Sequence, residues 1–479
     1  MDITSLGRGI EKSLGDIPLL DAHTHLDATH LAARGLHDVL LYHMVVSDLV
    51  SAGCPDRDRL SESPTDEEER ARIERALPFL PRIAATSCAW GVRIILEDLF
   101  GWHHPITAAN WRKLDRIIRE RGQDPGRPRE ILAKAGIARS CTELWRRHDG
   151  RADDMLQYSL EWAFFARTQW GEFDTALFEL EKSWTEGAPS APSPIRTGAR
   201  PEPARRIRSL ADVHDALDAY VEAIPVNVVS TAQHISTDID YSPVDERAMA
   251  AALRRRPRAG REERDLYASY VLEGFLRRLE AKKSRVVFHF SLGAEPLPAE
   301  TASRLGQRTL AHLAEIVARH PGIRFQCFLS SMHANQALCT LARELPNFSL
   351  AGYWWHSFFP AFIERVIRER LDMLSTAKQV GFFSDAYTLE WSYAKAVMVR
   401  RLLSRVLAEK ILLGQYDRAR ALAAAREILF DAPRTLLGME PAVTLVRGTS
   451  AAKTAARHST GSAAAQNGAR PKARTARGS

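Results

Sequence analysis

Cysteine is scarce in this chain. Cys54, Cys88, Cys141, Cys327 and Cys339 are spread over 479 residues with no Cys-x-x-Cys pair. An odd, widely spaced set does not make a disulfide framework, so buried thiols in a reducing compartment are expected. Long apolar runs are missing as well. No stretch approaches the ~18 consecutive apolar residues of a membrane span. The opening MDITSLGRGIEKSLGDI lacks the apolar core of a secretion signal. A cytoplasmic protein without a membrane partner is expected. Nor does one sign of charge dominate: 66 basic against 59 acidic residues leave a net charge of +7. Much of the excess sits in RRRPRAGREER (Arg254 to Arg264) and in the tail beyond Gly448, and neither is interleaved with aromatics. That pattern suits a solvated loop and a disordered tail, and nucleic acid is not an expected partner.

What is present is ordinary globular material, 45% hydrophobic and 26% charged, enough for a large core. Short apolar runs read as buried parallel strands. The first is Ile17 to His23, the second Gly136 to Cys141, and Trp162 to Arg167 is equally good as strand or helix. Val226 to Thr231 follows, then Arg285 to Phe290, Ile323 to Leu329, Phe348 to Trp355 and Gln379 to Asp385. Helical patterns such as RTLAHLAEIVARH and PAFIERVIRERLDMLSTA fall between the later runs. Strand then helix, repeated eight times, predicts an α/β fold, a (β/α)8 TIM-like barrel. It would occupy residues 1–447, with a helical insertion after the first strand at about 36–130 and loop insertions at about 186–206 and 245–265. YDRARALAAAREILFDAPRTLLGM closes it as a helix or a pair of helices. The Ala/Gly/Ser/Arg-rich residues 448–479 have no apolar periodicity and are expected to be disordered.

Chemistry-bearing residues stand at strand ends, where barrel active sites are built. In LLDAHTHL, His23 and His25 are two apart and share one side of an extended chain. Two imidazoles there supply two of three protein ligands for a catalytic divalent ion. His289 lies within the strand run VVFHF, and Asp385 ends the last run. Once a barrel closes, its first and last strands are neighbours, so Asp385 can complete a site opened by His23 and His25. Alternatively, Asp385 is the N-cap of the following helix.

The order of these residues resembles that of the amidohydrolase superfamily, and within it the uronate (glucuronate) isomerase family. DAHTHL resembles that family's D-x-H-C-H-L start. LYHMVVSDLVSAGCP resembles a segment with His eleven positions ahead of Gly, here His43 and Gly53. FHFSLGA matches at His289. AGYWWHS places Tyr353 and Trp354 on two Trp positions, and FFSDAY matches at Asp385. The resemblance implies a barrel enzyme that interconverts a hexuronate aldose and ketose, glucuronate to fructuronate or the galacturonate counterpart, by proton transfer through an enediolate. It implies one divalent ion, commonly Zn²⁺, on His23, His25 and Asp385, with Asp385 as base and His43 or His289 assisting. Tyr353, Trp354, Tyr387 and His356 would line the substrate pocket. Trp354 and His356 share a face if that strand alternates.

Two positions depart from the family pattern. Tyr387 stands where the family has Arg, and SCTEL (Ser140 to Leu144) replaces its T-T-D-D-P segment. A substrate carboxylate calls for an Arg fork. The family's R-P-D segment on the third strand has no clear counterpart either, and Arg167 and Arg200 are both candidates for its Arg. Two other readings remain: a one-metal hydrolase or decarboxylase on the same barrel, and a non-catalytic binding barrel. Two-metal hydrolysis is disfavoured, because the fourth strand offers His234 but no Lys or Glu, and the sixth is followed by Ser330 and Ser331, with His333 late. The expected partner is a small sugar acid, and a homo-oligomer is compatible with the sequence.

Overall fold

Apolar runs too short for long helices become eight strands in the computed structural model: β1 Leu19–Asp21, β2 Ile137–Glu143, β3 Leu156–Glu161, β4 Val228–His234, β5 Val287–Leu292, β6 Phe325–Leu329, β7 Phe348–Ala351 and β8 Gln379–Val380. The structure describes residues 2–55, 65–161, 173–189, 203–234, 241–256, 259–292, 307–329, 334–353 and 359–439. The strands pair in chain order, every pair parallel. The chain just past β1 and β8 is then joined by backbone bonds. Ala22 N donates to Phe382 O (3.5 Å), Asp385 N to His23 O (2.9 Å) and His25 N to Ala386 O (2.9 Å). The fold is an α/β, TIM-like barrel.

Alternation along the strands separates two cores. On β5, Phe288, Phe290 and Leu292 face the helices, as do Phe325, Cys327 and Leu329 on β6. Val287 and Phe328 belong to the smaller interior cluster with Leu20, Ala22, Ala351, Val380 and Phe383. His289 therefore shares the inward face with Val287, by the period of two. Phe430, Leu437 and Met439 from the C-terminal helices complete that interior cluster.

The expected insertion is present. Between β1 and β2 lie helices Leu36–Leu40, His43–Ser51, Asp66–Ala76, Leu80–Ile83, Ser87–Phe100, Trp111–Gly122 and Arg127–Ala135. After β8 comes helix Leu389–Leu412, apolar on most faces and packed between the N-terminal helix Ile3–Leu14 and helix Ser87–Phe100. All five cysteines are free and buried. Among the described residues no single helix is long and apolar enough to cross a membrane.

Three expectations need correction or fall elsewhere. The stretch 245–265 is mostly helical, with helix Glu246–Arg254 and the start of helix Arg261–Ala281, because Asp245 caps the first of these through its carboxylate. The third strand is Leu156–Glu161, and the neighbouring Trp162 to Arg167 lies outside the described residues together with most of 186–206 and the tail 448–479. Its run is hard to see because Gln157 and Ser159 alternate with the core residues Leu156, Tyr158 and Leu160.

Candidate metal centre

The ladder of β1 stops at Asp21, so the two histidines stand in the extended segment beyond it. Thr24 turns the other way. Its N–H and Oγ1 both donate to Cys141 O on β2, at 2.7 and 2.8 Å. His23 and His25 are left facing the end of β8. There Asp385 Oδ1 lies 3.3 Å from His23 Nε2 and 3.2 Å from His25 Nε2. The three ligand atoms fall within 4.8 Å of one another. Asp385 is not a helix cap, since the cap position of the next helix is Thr388. Both its carboxylate oxygens are buried without a hydrogen-bond partner among the described residues. A buried carboxylate left in that state beside two imidazole nitrogens fits the donor set of a divalent ion. The His23 and His25 rings stand edge to face at 5.0 Å.

His25 has a second anchor. Its Nδ1 lies 2.5 Å from Glu143 Oε1 at the end of β2, and Glu143 Oε2 accepts from Arg146 Nε at 2.8 Å. This carboxylate–imidazole contact turns His25 Nε2 toward Asp385, the orientation a metal ligand needs. The electrostatics match. Burial opposes a charged His25 ring, yet Glu143 beside it holds the pKa well above the ordinary histidine value. Burial likewise opposes the Asp385 carboxylate, but the His23 and His25 rings beside it hold its pKa well below the usual range.

His43 opens helix His43–Ser51 in the insertion, with Nε2 4.0 Å from Asp385 Oδ2. Burial brings its pKa down to about 3, so the ring is neutral at neutral pH. Tyr387 stacks on His25 at 4.9 Å and stays 41% exposed. The Arg146 guanidinium lies 5.9 Å from the Tyr387 ring. His23, His25, His43, Asp385 and Tyr387 are thus gathered in one place.

His289 and Tyr353 are placed differently. His289 packs on Phe328 at 4.5 Å, and Phe328 in turn lies 5.3 Å from His23. It faces the interior, but no hydrogen bond or ion pair joins it to Asp385 among the described residues. Tyr353 is corrected outright. It belongs to the helix-side core, with the Arg370 guanidinium 5.9 Å from its ring, because the residue before it, Gly352, turns the chain at φ +24°. Trp354, His356, Arg167 and Arg200 lie outside the described residues. Sequence reasoning missed Glu143. The available signal was an acidic side chain at the C-terminal end of β2, in the SCTEL segment read only as a departure from the family.

His289 carries a testable consequence. Burial, with His23 adding to it, lowers its pKa to about 3. The unfolded chain binds this proton from about pH 6.5 downward, while the folded protein does so only near pH 3. The His289 contribution to stability should therefore be level above pH 6.5 and fall by about 1.4 kcal/mol per pH unit below it. Urea unfolding of parent and His289→Leu at pH 6.5, 5.5 and 4.5 reads this contribution: His43, neutral for the same reason, adds its own slope to both, so the slope of the parent should be steeper by about 1.4 kcal/mol per pH unit. Equal slopes would count against a buried neutral ring.

Fold and site together define a (β/α)8-barrel protein with a candidate His-x-His/Asp cation centre where the chain past the first and last strands meets. Solved structures place it among known folds. Glucuronate isomerase from Caulobacter crescentus superposes with a TM-score of 0.72 at 16% identity, over 91% of this chain and 95% of that one. Uronate isomerase from Thermotoga maritima gives 0.68 at 15%, over 90% and 97%. The uronate isomerase of Bacillus halodurans gives 0.64 at 16%, over 91% and 97%. This chain has the fold of those isomerases. No family model matches the sequence, and no curated protein matches it.

Proposed function

We propose that this protein is a metal-dependent aldose–ketose isomerase acting on a hexuronate, of the glucuronate-to-fructuronate type. The observation that carries the reading is the meeting of His23, His25 and Asp385, with His43 reaching the second Asp385 oxygen. The shared fold with uronate isomerases supports it. His23, His25 and Asp385 would hold one divalent ion, which we take to be zinc from the nitrogen–oxygen donor set. Such an ion polarises a carbonyl oxygen as a Lewis acid.

The protein's own groups would do the rest. Shifting a carbonyl to the adjacent carbon requires removing a proton beside it and stabilising the enediolate. Asp385 as carboxylate and His43 as neutral imidazole are both unprotonated at neutral pH, and both can accept that proton. Glu143 keeps His25 oriented. Tyr387, exposed and stacked on His25, would touch substrate hydroxyls. The free, buried thiols accord with a cytoplasmic enzyme. The test is a screen of the metal-analysed protein against glucuronate, galacturonate and related sugar acids, following aldose loss and ketose gain. Interconversion should scale with bound metal. Hydrolysis or decarboxylation on the same sample, with no ketose formed, would move the reading to the other one-metal chemistry. A metal-replete protein that only binds sugar acids would make it a binding barrel.

A further inference from the structure

Asp385 holds its carboxylate in place from a backbone at φ +53°. That region is sparsely populated by residues other than glycine and persists only where the surroundings over-determine it. Here the surroundings can be named. On one side, Asp21 Oδ1 accepts from Ser384 N at 2.7 Å, and Asp385 N donates to His23 O. On the other side stands a buried lysine that the proposed chemistry does not use. Lys395 lies in helix Leu389–Leu412 and is 2% exposed. Its ammonium donates to Ser384 O at 2.5 Å and to Tyr42 Oη at 2.7 Å. Tyr42 Oη in turn donates to Asp385 O at 2.9 Å. The Tyr42 ring is stacked on Trp391 at 4.5 Å and tilted against His43 at 4.1 Å.

A hydroxyl has one proton. With Lys395 donating to its oxygen, that proton is committed to the Asp385 carbonyl. Two consecutive carbonyls, of Ser384 and Asp385, are thereby clamped by one ammonium, directly and through one phenol. Tyr42 also precedes helix His43–Ser51, so the same clamp fastens the insertion, and His43 with it, to the end of β8. A buried ammonium is costly, and an apolar side chain of similar length would fill the space at less cost.

Resting on the metal-centre reading above, we propose that Lys395, acting through Tyr42, is a positioning residue that holds the Ser384–Asp385 backbone so that the Asp385 carboxylate meets His23 and His25, and so sets the affinity of the centre for its cation. Tyr42→Phe removes one oxygen and breaks the link to Asp385. Lys395→Met removes the bond to Ser384 O and frees the Tyr42 hydroxyl to turn away from Asp385 O. The two act on one chain of bonds, so their effects should not add.

The test measures zinc affinity by chelator competition for the parent, Tyr42→Phe, Lys395→Met and the double variant, beside the metal-free melting curve of each. Lys395→Met should weaken zinc binding by about 10- to 100-fold, the range for outer partners of metal ligands. Tyr42→Phe should weaken it less, and the double variant should match Lys395→Met. The visible spectrum of the cobalt-loaded Tyr42→Phe protein should shift, since it reports ligand geometry rather than fold stability. Unchanged affinity in both variants, or effects that multiply in the double, would overturn the proposal. Should Lys395→Met fail to fold, Tyr42→Phe alone decides, and parent-like affinity and cobalt spectrum overturn it. A parent that binds no zinc overturns the centre itself, an outcome distinct from a zinc-binding parent with indifferent variants.

Discussion

Asp385→Asn is expected to abolish turnover and to weaken zinc binding by more than about 100-fold, beyond what the loss of an outer partner alone costs. The substitution is nearly isosteric. Asparagine, like aspartate, tolerates the left-handed backbone that φ +53° demands, so the turn after β8 should survive. What is lost is one negative charge, on an oxygen 3.3 and 3.2 Å from the two histidine nitrogens. A neutral amide cannot offset a divalent charge in a site this buried. A cation bound at 100 times its Kd stabilises the folded state by about 2.7 kcal/mol. The parent's melting temperature should therefore rise with zinc, and that of Asp385→Asn should not. A variant that keeps the zinc-dependent rise, or keeps turnover, would falsify the three-residue centre.

Glu143→Gln is the next largest expected effect, a 10- to 100-fold loss of metal affinity with the fold retained. The glutamine oxygen can still accept from His25 Nδ1, but its NH2 group then faces Arg146 Nε, donor against donor, where Glu143 Oε2 now accepts at 2.8 Å. The pH dependence gives a second readout. Burial would raise the Glu143 pKa, but His25 and then Arg146 outweigh it and bring it down to about 2. A carboxylate depressed in the folded state adds stability above its unfolded pKa and loses it as pH falls through the folded one. The parent's advantage over Glu143→Gln in metal-free melts should be complete above about pH 4.5 and shrink toward pH 2. An advantage that grew in acid would mean Glu143 is not ionised beside His25.

Some of this centre was legible without coordinates. His23, His25 and Asp385 stand next to apolar runs, and run order alone makes the first and last strands of a closed barrel neighbours. His43 was found by resemblance, and its Nε2 lies 4.0 Å from Asp385 Oδ2. Other residues were not legible for local reasons. β3 was passed over because its inward residues, Gln157 and Ser159, are polar, while the neighbouring Trp162 to Arg167 is more apolar. Tyr353 was read as pocket-lining from an aromatic cluster, yet the chain turns at Gly352 and sends it to the helix side.

The linear order of residues determined the parallel barrel, the helical insertion and the identity of three candidate ligands, because period-two and helical patterns and strand order are properties of the chain itself. Only the tertiary structure decided that Glu143 orients His25, that Tyr42 and Lys395 clamp the Asp385 backbone, and that Phe328 packs on both His289 and His23. Those contacts join strand ends to one another and to helices far away in sequence, 118 residues for His25 and Glu143 and 343 for Tyr42 and Asp385. They exist only once the barrel has curled and the helices have docked, and no local periodicity encodes which side chains then meet.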